Sequence, residues 1–146
     1  MTRFAIIIAL LLAVTSTSWA GVKTEVVKEG AEYVMRKFGK EATKEFGEEA
    51  AQIVAKRIET LAAKYGDDVV VDAARKVGPR VFRLVEEVGE DGAPKALKLM
   101  ARQGDEAVWV VSRPKGFAIF VKYGDDAADA MIRHRELAEP LIENYG

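Results

Sequence analysis

The sequence contains no cysteine, one histidine and only four prolines in 146 residues. Without cysteine there is neither a disulfide framework nor a cysteine lipid anchor, so packing alone must stabilise the fold. A zinc site would have to be built mostly from carboxylates, which is unusual. Serine is equally scarce past residue 20: Ser112 is the single example, and a serine nucleophile would have to pair it with His134. No Gly-x-Ser-x-Gly context surrounds Ser112, and a hydroxyl beside Pro114 reads more simply as a turn or cap residue. His134 reads as a surface residue near a helix end. Excess charge of one sign is also missing. The 22 basic and 23 acidic side chains give a formal net charge of −1 with the signs interspersed, which supplies no electrostatic footprint for a nucleic acid or an anionic membrane. Neither Gly-x-Gly-x-x-Gly nor a Gly-Lys-Ser/Thr ending occurs, so no phosphate-cradling loop is present in the sequence.

Long apolar runs are confined to the amino terminus. Residues 1–20 read as a secretory signal peptide, with Arg3, an apolar core from Phe4 to Val14 and a small-x-small ending at Ser18-Trp19-Ala20. The expected product is an exported, periplasmic or extracellular chain cut after Ala20, with residues 21–146 forming one domain. The apolar core falls short of the roughly 20 residues that a membrane span requires, so membrane contact is expected only if this segment stays uncleaved. Residues 107–121 come next closest, but Ser112, Arg113, Pro114 and Lys115 interrupt them.

What the sequence does have is a repeated corner. Lys64-Tyr65-Gly66-Asp67-Asp68, Gln103-Gly104-Asp105-Glu106 and Lys122-Tyr123-Gly124-Asp125-Asp126 each end one amphipathic run on glycine and open the next with acids. Glycine is expected there in the left-handed helix-ending conformation, and the first acid is expected to cap the next helix. Between corners, apolar residues follow helical spacing: Val27, Ala31, Val34 and Phe38, then Ala51, Val54, Ile58, Leu61 and Tyr65. These two stripes belong to different heptad registers, so the chain must turn or slip between Gly39 and Gly47. Beyond Gly66 the pattern predicts helices over 67–77, 80–88 and 93–103, the last preceded by a lead-in at Glu90-Asp91-Gly92, followed by two units broken at Arg113-Pro114 and His134-Arg135. The fold class is therefore all-α, a single domain of short stacked helical hairpins with two longer N-terminal helices, in degenerate repeats of about 20 residues. Val108 to Val111 and Phe117 to Val121 also fit a two-stranded hairpin. Helix is preferred, because the flanking corners match those around plainly helical segments and a lone hairpin would have no sheet to join.

The segments Lys64-Tyr65-Gly66-Asp67-Asp68, Val77-Gly78-Pro79-Arg80, Gly104 to Pro114 and Ala138-Glu139-Pro140-Leu141-Ile142-Glu143 resemble an uncharacterised family of exported bacterial helical proteins. The resemblance implies an all-helical fold and supplies no activity, cofactor or catalytic residue. Similar proteins continue through further such segments, whereas this sequence stops on Asn144-Tyr145-Gly146, leaving an incomplete C-terminal end as an expectation.

The acid pairs Asp67-Asp68, Asp105-Glu106 and Asp125-Asp126 sit at helix starts rather than at the alternate positions of a calcium loop, so helix-pole stabilisation is their expected role. Arg75, Lys76, Arg80 and Arg83 form the densest basic cluster, with Asp72, Glu86 and Glu87 close enough in sequence to neutralise it. Trp109, Phe117, Phe120 and Tyr123 are expected in the core. No enzyme activity, cofactor or metal is expected. The favoured function is a protein–protein interaction or scaffold module, with an apolar-ligand or lipid-binding domain around Trp109 and Phe120 as the alternative. A carboxylate-based hydrolase ranks third, since no feature places two acids across a cleft. The candidate partner surface is Leu137, Leu141, Ile142 and Tyr145 in the final helix, through which the chain would meet a protein partner or a second copy of itself.

Overall fold

The structure, a computed structural model, describes residues 24–145. The expected signal peptide lies outside the described residues. Among them there is no strand. The elements are α1 (Thr24–Phe46), a 3-10 turn (Gly47–Glu49), α2 (Ala50–Tyr65), α3 (Asp67–Val77), α4 (Arg80–Gln103), α5 (Asp105–Val111), α6 (Pro114–Tyr123), α7 (Asp125–Arg133) and α8 (Arg135–Tyr145). Residues 107–121 are thus two helices and not a hairpin. The required turn after the first stripe falls at Gly47 (φ 77), while Gly39 stays inside α1, just past a kink at Phe38 (φ −117, ψ 22). α4 breaks at Gly89 (φ 78, ψ 176), and helix resumes at once through Glu90, Asp91 and Gly92 instead of the expected lead-in.

The corners work differently from the left-handed cap expected of them. Gly66, Gly78, Gly104 and Gly124 have positive φ but extended ψ, for example φ 87 and ψ −163 at Gly124. This region is open essentially to glycine alone. One residue then serves two helices: the Gly124 amide donates to the Phe120 carbonyl at 2.7 Å, and its own carbonyl accepts from the Ala128 amide at 3.3 Å. Positive φ reverses the outgoing helix, and extended ψ is what the first residue of the next helix requires. Because glycine itself occupies the capping position, the acids land one and two places later. The starts of α3, α5 and α7 accordingly show no side-chain capping bond, and their carboxylates act on the helix pole instead. Proline makes the other kind of corner. Arg113 is extended (φ −105, ψ 110), and Pro114 opens α6, as a residue before proline and a proline in the first turn both prefer.

The helices stack in sequence order. α1 and α2 pack on each other and on α3, and α3 packs on α4. α5 lies on α4, while α6, α7 and α8 close on one another at the C-terminal end. The core runs through the stack and includes Val34, Val54, Ile58, Val77, Val81, Leu97 and Met100, each fully buried. Burying such side chains contributes roughly 1.5–3 kcal/mol apiece.

A ladder of polar bonds ties one layer to the next. Arg57 donates to Glu86, 29 residues on; Lys64 to Glu90, 26 residues on; and Arg80 to Asp105, 25 residues on. Arg102 donates to Asp129, 27 residues on, and Arg113 to Glu139, 26 residues on. Lys76, Lys95 and Lys115 reach the carbonyls of Ala101, Val121 and Glu143 in the same direction. Among the described residues the donor precedes its acceptor along this ladder, and only the longer Arg80–Glu41 contact at 3.6 Å runs backward. With the Arg102–Asp125 ion pair included, layers meet at separations of 23 to 29 residues, longer than the 20-residue unit suggested by corner spacing.

Candidate functional site

An open apolar groove lies at the C-terminal end of the stack. Pro114 starts α6 and sets the helix so that Ala118, Ile119 and Lys122 look toward α8, which contributes Ala138, Leu141 and Ile142, with Met131 of α7 as the floor. Together they enclose a groove of about 730 Å³ rimmed by Lys115, Lys122 and Tyr123. Two bonds hold α8 beside it: Arg113 to the Glu139 carboxylate at 3.0 Å and Lys115 to the Glu143 carbonyl at 3.1 Å.

The four residues expected to form the partner surface do not all face outward. Leu137 and Leu141, four residues apart, are 69% and 57% exposed. Ile142 points inward at 5% exposure and packs over Gly116, where an added Cβ would sit 3.7 Å from Ile142 Cδ1. It forms the groove wall rather than a free surface, because it is turned about 100° from Leu141 around α8 and so faces Gly116 of α6. Tyr145 ends α8, and its side chain lies outside the described part of the structure. Sequence reasoning missed the other half of the site. Ala118, Ile119 and Lys122 lie in α6, 15 or more residues away along the chain, and only the folding of α8 back onto α6 brings them together.

A second apolar groove, of about 370 Å³, lies at the opposite end of the stack between α1 and α2. Val27, Ala31, Met35, Ala51 and Ala55 line it, with Lys28, Glu32 and Glu59 at its edge.

The remaining candidates are occupied by structural contacts. Phe120 is buried, and Trp109 carries the Arg113 guanidinium over its ring at 4.4 Å and that of Arg135 at 5.7 Å. Tyr123, expected in the core, is 65% exposed, because α6 ends there at the glycine corner and its ring stands off the last turn. The basic cluster is dispersed. Arg75 lies over Tyr33 at 4.4 Å, Arg83 pairs with Glu87 within α4, and Arg80 reaches Asp105 at 2.8 Å and Glu41 at 3.6 Å. Glu86 serves Arg57 instead. Ser112 donates to the Trp109 carbonyl at 3.5 Å, His134 ends α7, and no hydrogen bond joins the two. Among the described residues no cluster of three or more His, Cys, Asp or Glu side chains is placed to hold a metal ion, and no helix is long and apolar enough to cross a membrane. Lys64 and Glu90 pair at the surface, and their hydrogen bond lowers the Glu90 pKa from 4.5 and raises that of Lys64 from 10.5.

No protein-family model, curated protein or solved structure matches this chain.

Proposed function

We propose that the chain is an exported helical module that recognises another protein through the groove between α6 and α8. The supporting observation is the combination of that groove with Leu141 in its lining, 57% exposed, and Leu137 one turn earlier on the same helix, 69% exposed. Leucines four apart beside an apolar channel match the way an amphipathic helix is received, with apolar anchors one turn apart. The lysines at the rim add a charge preference. They favour a partner helix carrying carboxylates beside its apolar stripe. Export rests on the signal-like pattern of residues 1–20.

A photo-crosslinking amino acid placed at position 141 of the full chain, produced in an exporting bacterium, tests this reading. The expected product is a discrete protein adduct that disappears when Ile119→Asp is introduced into the groove. Adducts confined to lipid or small molecules would transfer the groove to the apolar-ligand reading, and no adduct of any kind would remove both. N-terminal sequencing of the exported protein should begin at Gly21; a first residue of Met1 or Thr2 would replace export with anchoring.

A further inference from the structure

We infer that α1 and α3 form a binding site for a phosphate group, free or carried on a lipid headgroup, around Tyr33 and the kink at Phe38. Three cations converge on the Tyr33 ring: the Arg36 and Lys37 charges each lie 5.8 Å from its centroid, and that of Arg75 lies 4.4 Å away. Lys37 also stands 5.2 Å from the centroid of the Phe38 ring. Lys40 follows one turn later, on the side of α1 that carries Tyr33, Arg36 and Lys37. All four cations are exposed. The net charge of −1 over the whole chain conceals this grouping, because Arg75 comes from α3 and meets the others only where α3 packs on α1.

The fold leaves these charges without acids. Among the described residues none of the four belongs to an ion pair. Glu41, one turn after Lys37, is held by Arg80 at 3.6 Å, and Glu32 and Asp72, about one turn before Arg36 and Arg75, pair with neither. The negative pole of α3 accounts for Arg75 in its last turn. It does not account for Arg36, Lys37 and Lys40, which lie inside α1 with no acid between Tyr33 and Lys40. Like charges gathered at one ring repel, and the negative ring face offsets this only in part. A guanidinium stacked on a ring still keeps its N–H donors at the edge for another partner. Beside the ring, residues 36–41 line a hollow of about 420 Å³. Gly39 leaves the backbone there uncovered, with nothing within 4 Å of an added Cβ. A phosphate group, with several acceptor oxygens and about two negative charges at neutral pH, can engage several of these donors at once, whereas a single carboxylate offers fewer acceptors and half the charge.

Isothermal titration of the exported protein with inorganic phosphate and with pyrophosphate, at low and high salt, tests the site. Saturable one-to-one binding is expected, weaker at high salt. Lys37→Gln and Arg75→Gln should each weaken it about tenfold, the loss of one charge-assisted contact. Lys56→Gln and Lys98→Gln, which neutralise exposed lysines of α2 and α4 outside the site, should leave it unchanged. Circular dichroism with a thermal melt verifies that each variant is folded. Cosedimentation with phosphatidylcholine vesicles, with and without phosphatidic acid, distinguishes the two sources of the phosphate. Uptake that requires phosphatidic acid and is lost in Lys37→Gln assigns a lipid headgroup, and saturable binding confined to the soluble anions assigns free phosphate. Absence of saturable binding to all of these overturns the inference, as do Lys37→Gln and Arg75→Gln proteins that bind like wild type. Control variants that lose as much affinity as those two would reduce the effect to overall charge and overturn it as well. Citrate bound as tightly as pyrophosphate would make the surface a general polyanion binder and overturn the assignment to phosphate.

Discussion

Leu97 in α4 and Leu141 in α8 each lie on the apolar stripe of a helix, yet Leu97 is 0% exposed and Leu141 57%. Nothing local separates them. α4 is covered by α3 and by α5 and α6, whereas among the described residues α8 packs mainly on α6 and α7. All the large hydrophobic residues left exposed among the described residues, Val121, Tyr123, Leu137 and Leu141, belong to the C-terminal layer. In a stack, a stripe marks the face a helix is able to bury, and the presence of a neighbouring layer decides whether it does.

The sharpest way to break the comparison is to truncate both leucines. Leu97→Ala should destabilise the fold by about 2–5 kcal/mol through lost transfer energy and the cavity left behind, while Leu141→Ala should cost under about 0.5 kcal/mol in the monomer. Urea denaturation measures both, and equal losses would mean that α8 is covered in solution.

Corners carry the comparison one level down. Gly78 and Gly124 share positive φ, at 84 and 87, but a Cβ at Gly78 would lie 2.8 Å from the Phe38 ring while nothing lies within 4 Å at Gly124. Gly124→Ala should therefore show the backbone strain alone, about 1–3 kcal/mol, and Gly78→Ala more than that by the cost of moving Phe38. Thermal melts of the two variants separate the terms, and an unchanged Gly124→Ala protein would show that this corner does not need glycine.

Gly39 gives the opposite sign. It sits within α1 with no heavy atom within 4 Å of an added Cβ and no positive φ, so Gly39→Ala should stabilise by about 0.5–1 kcal/mol. Gly30→Ala in the same helix should destabilise, since its Cβ would meet Val71 at 2.8 Å.

The smallest effect belongs to the surface ladder. Glu90 is held below its usual 4.5 chiefly by its hydrogen bond from Lys64, so the stability it contributes is present above the unfolded-state pKa and fades as pH falls through the lower folded value. The Lys64 pKa is raised, so its share persists below 10.5 and is lost as pH rises through the higher folded value. The melting temperature of Glu90→Gln should fall slightly below wild type at neutral pH and converge with it in strong acid. A gap that persists at low pH would place its origin outside this ion pair.

Much of this was legible along the chain. The Gly-acid corners at 66, 104 and 124 mark helix ends because positive φ is available to glycine at little cost, and the spacing of Val54, Ile58 and Leu61 announces a helix face because side chains three and four apart share one side. The conformation of the corner was read too simply: a left-handed cap ends a helix, whereas here the same residue must also begin one, and that double duty appears only when both helices are in place. For the groove, sequence reasoning identified Leu141 and Ile142, with Leu137 one turn earlier on the same helix, but missed Ala118, Ile119 and Lys122. The ladder left no local trace at all, since Arg113 and Glu139 are separated by 26 residues and resemble any other surface charges.

Local chemistry in the sequence thus determined where helices start and stop and which face of each is apolar, because glycine, proline and apolar spacing act through neighbours within a turn or two. Tertiary structure alone decided which apolar faces are covered, which charges meet and where two helices leave a channel between them. Those outcomes depend on contacts between residues distant in sequence, and no single helix contains the information that its neighbour supplies.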